Sequence, residues 1–363
     1  AEDPDYVFMR TANPDSSMCI ACHEIASDEN TPGNHPVFKE LKSIPDKLVE
    51  AGSLIGNENE IICQSCHLSH GAVSYPLLAV DNRQAGLCSQ CHADKAGIVQ
   101  SKHDLSVVAA DTRNRKGQVA GESGPCLGCH LIHDTDTSAP LWGREPASGR
   151  DPVTALCETC HVDAGIASNA VIHPHSHPTD VSVSALPAQG AEAGGISAQH
   201  DDKQGLWIQS LPLYDDKGHR SQEGDRVTCL TCHDPHLWDP AGPAKGNTTK
   251  AEGGGNTSFL RIAQGRQSRL CTSCHRDKRD VVDSKHDLDL GGKDRRARLE
   301  AKTEVRVELE LGVCGACHRA HNGGIPAMSA FETLAGEGAI QTMCDTCHMR
   351  TGIATAKKPG RHS

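Results

Sequence analysis

The chain holds 363 residues, of which 37% are hydrophobic and only 3% aromatic, and its formal net charge is −11. So low an apolar share excludes a conventional side-chain core of this size, and there is no run of about 18 apolar residues to span a bilayer. The acidity argues against a nucleic-acid partner and favours basic docking patches or cationic mineral surfaces.

In chain order, the sequence opens AEDPDYVF, the kind of end that removal of a secretory leader produces. The first element with chemistry is Cys19, Cys22 and His23, spaced as Cys-x-x-Cys-His. The same spacing returns at Cys63, Cys66, His67; Cys88, Cys91, His92; Cys126, Cys129, His130; and Cys157, Cys160, His161. It continues at Cys229, Cys232, His233; Cys271, Cys274, His275; Cys314, Cys317, His318; and Cys344, Cys347, His348. These nine motifs, numbered 1 to 9 below, consume all 18 cysteines. The pattern is the attachment signature of a c-type haem. The two thiols add across the porphyrin vinyl groups, and the histidine binds iron. Disulfides would leave the histidine after every pair unexplained, and four-ligand zinc sites would need the motifs in pairs, whereas nine is odd. The expectation is nine covalently attached haem c groups that also supply the missing apolar volume, with an apo chain that is largely unfolded.

The motifs form a duplicated set. From Cys63 the order is CxxCHxxH, then CxxCH followed by SKHDL (101–105), then CxxCHxxH, then CxxCH, and the order recurs from Cys229 with SKHDL at 284–288. The domain reading is an N-terminal segment with haem 1 (1–62), a tetrahaem module (63–180), a connector (181–228) and a second tetrahaem module (229–363). Loop-forming composition marks 240–258. Short helices are predicted over 92–101, 161–170 and 331–344, and alternating Val305, Val307, Leu309 and Leu311 predict a strand. The fold class is a multihaem cytochrome c: mostly loops with short α-helices and few β-strands, wrapped around a haem chain.

Thirteen histidines remain to serve as second axial ligands. His70, His133, His236 and His321 each lie three residues beyond a motif histidine, on nearly the same face. None can curl around to the far side of its own haem, so each is expected to reach a neighbour's iron. His103 and His286 sit in the two SKHDL segments, and His35 follows motif 1. For the last haem of each module the repeat selects His175, with His173 and His177 as competitors, and His362. His200 and His219 are expected to be solvent-exposed, and Trp142 and Trp238 to pack or to lie against porphyrin.

The sequence resembles the multihaem c-type cytochromes with doubled CxxCH motifs found in metal- and sulfur-metabolising anaerobic bacteria, on its nine motifs, four CxxCHxxH elements and SKHDL segments. That resemblance implies a periplasmic or extracellular carrier, a conduit component or a subunit of an extracellular cytochrome filament. The function expected is electron transfer along nine bis-histidine haems, with no catalytic residue. Expected partners are other redox proteins or mineral acceptors, with end-to-end self-assembly as a variant. A nitrite, hydroxylamine or sulfur-oxyanion reductase is the alternative, and it would need one iron with an open position.

Overall fold

Each attachment motif closes one helical turn and then stops. In motifs 1 to 8, those described in full, the histidine N–H donates to the carbonyl of the first cysteine at 2.9–3.0 Å, as at His23 to Cys19 and His318 to Cys314. This i to i−4 bond puts both cysteines on one side of the turn and the histidine at its exit. The turn is too short to persist as an isolated helix. In this computed structural model the described residues are 13, 15–23, 33–135, 141–146, 151–183, 211–221, 224–237, 259–262, 264–288, 312–324, 328–330, 338, 344–345 and 348.

The described α-helices are single turns or little more: α1 Ser17–Ile20, α2 Asp46–Glu50, α3 Cys63–Cys66, α4 Leu105–Val108, α5 Ala120–Ser123, α6 Pro152–Cys157, α7 Cys229–Cys232, α8 Arg269–Cys274 and α9 Gly312–Gly315. Beyond the histidine the motifs divide by parity. His67 and His233 continue in extended conformation. After motifs 3 and 7 the chain instead coils into 3-10 helices, Ala93–Ile98 and Arg276–Val281. The helix predicted over 92–101 is thus realised as a 3-10 helix, whereas 161–170 is mostly turns with a 3-10 segment at Ser168–Ala170. The strand predicted at 305–311 and almost all of 331–344 lie outside the described residues.

Four two-residue strands, β1 Val181–Ser182, β2 Leu213–Tyr214, β3 Arg220–Ser221 and β4 Arg226–Val227, form an antiparallel sheet in the order β1-β4-β2-β3. They lie within the stretch read as a connector, so that segment also builds structure. Asp215 shapes the β2–β3 turn, its carboxylate accepting from the amides of Lys217 (3.0 Å) and His219 (2.8 Å).

The chain folds as two compact units, residues 1–145 with 235–238, and 146–234 with 239–363. Buried apolar side chains among the described residues include Ile62, Leu105, Trp142, Val153 and Val313. The polar Asn13, Ser16, Ser268 and Asp287 are buried as completely. The observed architecture is the loop-dominated one expected for a multihaem cytochrome c. No helix among the described residues is long and apolar enough to cross a membrane.

Candidate haem centres

Motifs 1, 3, 5 and 7 are each anchored from upstream by a buried polar residue. Asn13 accepts from the amide of Met18 (2.8 Å) and donates to Cys19 Sγ (3.5 Å), and Asn82 accepts from the amide of Cys88 (3.3 Å). Asp151 caps α6 by accepting from the amide of Thr154 (2.9 Å). Gln264 accepts from the amide of Leu270 (3.2 Å) and donates to Cys271 Sγ (3.1 Å). All four are at most 7% exposed. The sequence reading missed them, although the signal was present as an amide or carboxylate six or seven residues ahead of alternate motifs.

Each of these four motifs is also tied to the even motif that follows. Ser16 Oγ accepts from the amide of Cys63, and Ser268 Oγ from that of Cys314, both at 2.9 Å. The thiols of Cys88 and Cys126, of Cys157 and Cys229, and of Cys271 and Cys314 are neighbours close enough to perturb one another's ionisation. Motifs 1–2, 3–4, 5–6 and 7–8 therefore form pairs. Burial pushes the second thiols Cys66 and Cys232 up to about 11 and about 12.

Even motifs share a second device, a double backbone clamp across the histidine. Leu68 N–H donates to Leu77 O and Ala79 N–H to Cys66 O; the same pair of bonds links Leu131 to Leu141 and Gly143 to Cys129. It recurs from Asp234 to Phe259 and Arg261 to Cys232, and from Arg319 to Met328 and Ala330 to Cys317. The clamp fixes the direction of the x-x-His continuation. Opposite His130 the clamp places Trp142, buried to 7% exposure, whose ring stacks on that histidine at 5.6 Å and 17°.

The consequence is a set of facing imidazoles. In the first unit His67 faces His133 at 6.3 Å between ring centres, His92 faces His35 at 6.2 Å and His130 faces His236 at 6.2 Å. In the second, His233 faces His321 at 6.0 Å, His275 faces His177 at 6.3 Å and His348 faces His286 at 6.1 Å. Two metal–nitrogen bonds of about 2 Å, plus about 1.1 Å from each nitrogen to its ring centre, sum to about 6 Å. The spacing thus fits one iron between each pair. Even-motif pairs are nearly parallel, at 16–31°. Odd-motif pairs are steeply crossed, at 60–83°.

Electrostatics suit the same role. Nδ1 of His35, His67, His161 and His177 donates to the carbonyls of Pro36, Pro76, Ala170 and Pro178 at 3.0–3.2 Å. A carbonyl can only accept, so Nε2 carries the lone pair that binds a metal. Burial holds His35, His133 and His177 below the ordinary histidine range. Burial, reinforced by His233, lowers His321 to about 4. These rings are neutral at pH 7, the form in which imidazole ligates.

The SKHDL segments are matching turns. His103 and His286 N–H donate to Ser101 and Ser284 Oγ, each at 3.1 Å. Buried Asp104 accepts from the amide of Gln100 (2.8 Å), and buried Asp287 from that of Asp283 (2.9 Å) and from Arg266 Nη2 (2.9 Å). The repeated aspartate thus serves to hold the histidine's loop, a role the sequence reading did not assign.

Two sequence-derived choices look different in the structure. His175, selected from the repeat, faces no imidazole among the described residues; its φ is +68°, and its carbonyl accepts from Gly323 N–H. Its competitor His177 faces His275 instead. The reason is backbone: His177 N–H donates to Ala320 O at 2.7 Å, as His35 N–H does to Ile132 O at 2.7 Å, and both histidines precede a proline. His23 and His70 are exposed, and neither faces an imidazole among the described residues. His219, expected to be exposed, is half-buried, with Nδ1 3.3 Å from Asp215 Oδ2. Cys347, His200, Trp238 and His362 lie outside the described residues.

Residues 56–97 match the doubled CXXCH motif family. Multiheme cytochrome MtrA of Shewanella baltica (strain OS185) is 23% identical over 197 residues, covering 43% of this chain. The chain spans 59% of that relative's length. No solved structure matches. Attachment spacing, facing imidazoles and these likenesses together support a multihaem c-type cytochrome that carries covalently bound haem c.

Proposed function

We propose that the chain carries electrons along nine haem c groups, each attached through one Cys-x-x-Cys-His motif and held between two imidazoles. One observation carries this reading: six motif histidines each face a second histidine at the spacing of a shared iron, and every partner comes from a segment belonging to another motif. Bound haem supplies a one-electron iron couple whose potential follows ligation, burial and nearby charge.

The chain's own residues set the geometry. The second histidine of motif 4 faces motif 2, that of motif 6 faces motif 4, and that of motif 8 faces motif 6. In the odd series the histidine after motif 1 faces motif 3, that after motif 5 faces motif 7, and that after motif 7 faces motif 9. Linking each motif to the one two places away draws successive centres together, as electron hopping requires. We assign His35, His133, His177, His236, His286 and His321 as second ligands, and extend the role to His70, His103 and His362.

Two imidazoles on every iron leave no position for nitrite, hydroxylamine or a sulfur oxyanion, so the chain acts as a carrier rather than a reductase. Thioether attachment in bacteria takes place outside the cytoplasmic membrane, which puts the protein in the periplasm or beyond the cell, with cytochromes or mineral surfaces as partners. Nine haems add propionates that take the oxidised protein to roughly −20, favouring basic docking sites. The test combines intact-mass counting of haems with spin-state spectroscopy and redox titration. Nine haems, low-spin signals and reversible one-electron steps are expected; fewer haems, or turnover of nitrite or hydroxylamine, would overturn the reading.

A further inference from the structure

At the clamp of motif 6 the two clamped positions carry opposite charges. Asp234 N–H donates to Phe259 O and Arg261 N–H to Cys232 O, and their side chains also meet, Arg261 Nη1 donating to Asp234 Oδ2 at 3.0 Å. The matching positions are Leu68 and Ala79 at motif 2, Leu131 and Gly143 at motif 4, and Arg319 and Ala330 at motif 8. The backbone clamp therefore closes without an ion pair. Asp234 is buried, and the Arg261 side chain is 21% exposed. Burying such a pair adds little stability over apolar neighbours, so folding alone does not account for its presence at one clamp.

Arg261 also grips the attachment turn. Its Nε donates to Leu230 O at 2.7 Å, and Tyr214 Oη, on a buried ring, donates to the same carbonyl at 3.5 Å. Leu230 is the first residue between the two cysteines of motif 6. At motif 2 the corresponding carbonyl, of Gln64, accepts from the Leu54 amide, and at motif 4 that of Leu127 accepts from Asn114 Nδ2. Neutral donors serve those two turns. At motif 6 the donor is a guanidinium, and it stands within electrostatic range of Cys232 Sγ. We infer that Arg261 and Asp234 set the reduction potential of the haem attached at Cys229, Cys232 and His233, with Arg261 favouring the reduced form and Asp234 the oxidised one. Reduction adds an electron to the iron, so a fixed cation nearby stabilises the product and a fixed anion opposes it. This inference rests on the electron-carrier reading above and adds what sets one haem apart from its repeats.

The test uses the full holoprotein with Arg261→Gln, Asp234→Asn, the two combined, and Arg261→Lys. Each is titrated electrochemically under electron paramagnetic resonance, with intact mass giving the haem count. A unit charge about 10 Å away at an effective dielectric of about 20 shifts an equilibrium about tenfold, which is about 59 mV for one electron. R261Q should lower one potential by about that much, and D234N should raise the same one. The double variant should return it close to wild type, and R261K, which keeps the charge, should leave it there. The shifts should fall among the near-parallel haems, to which His233 and His321 belong. A purely structural pair would move both single variants in one direction, and R261K would then behave as R261Q does. Either result overturns the inference, as do unmoved potentials. If R261Q does not fold, the sign of the D234N shift decides. Several high-spin haems in the wild type, or turnover of nitrite, would instead overturn the carrier reading.

Discussion

Gly33→Ala tests how a second ligand is held. Gly33 has φ +91°, and a Cβ there would lie 1.9 Å from Thr135 O. Ordinary contact begins at 3.4 Å, so the segment would have to withdraw by 1.5 Å. Three bonds attach it to the loop carrying His133: Thr135 N–H to Gly33 O (2.8 Å), Asp134 N–H to Asn34 Oδ1 (3.1 Å) and His35 N–H to Ile132 O (2.7 Å). A withdrawal of that size takes them beyond hydrogen-bonding range. At about 1 kcal/mol per bond, with about 1–2 kcal/mol for a left-handed alanine, the substitution should cost about 4–5 kcal/mol. Gly117→Ala is the control: its φ is +76° with nothing within 4 Å, so only the backbone cost of about 1–2 kcal/mol applies. Denaturant unfolding followed by far-ultraviolet circular dichroism and by the Soret band measures both. G33A should lose about 3 kcal/mol more than G117A, and His35 should release its iron below the global transition. Equal stability of the two variants, with no early change in spin state, would refute the reasoning.

The two imidazole geometries should be visible in frozen solution. Steeply crossed planes at His35–His92, His177–His275 and His286–His348 should give strongly anisotropic low-spin signals, and near-parallel planes at His67–His133, His130–His236 and His233–His321 rhombic ones; a single class of signal would contradict the structure. Asp104→Ala leaves the Gln100 and Ser106 amides without their carboxylate acceptor and should cost about 1–3 kcal/mol, read from unfolding curves, with a loss of the same order for Asp287→Ala, which deprives the Asp283 amide and Arg266 of theirs. His177→Ala should produce a high-spin haem, whereas His175→Ala should leave the spectrum unchanged. A chain with every motif cysteine replaced by serine should show little secondary structure in circular dichroism, because only 37% of its residues are hydrophobic and 3% aromatic.

Much of the site was legible because its chemistry is local. A thiol pair at i and i+3 with a histidine at i+4 occupies one helical turn. The sequence alone therefore determined the nine Cys-x-x-Cys-His motifs and their repeated order, and led to the expectation that His133, His236 and His321 each serve a neighbouring motif. The loop-rich architecture was legible from the scarcity of apolar residues. The buried polar anchors Asn13, Asn82, Asp151 and Gln264 repeat only at alternate motifs and across three residue types, too weak a pattern to stand out in one sequence.

Which imidazole faces which was a matter for the tertiary structure. The partners come from distant parts of the chain, as with His130 and His236, and backbone bonds rather than sequence offset choose among candidates. His177, whose amide donates to Ala320 O, faces His275, whereas His175 faces no imidazole among the described residues. Local spacing fixes where each Cys-x-x-Cys-His turn stands; long-range hydrogen bonding decides which imidazole comes to face it.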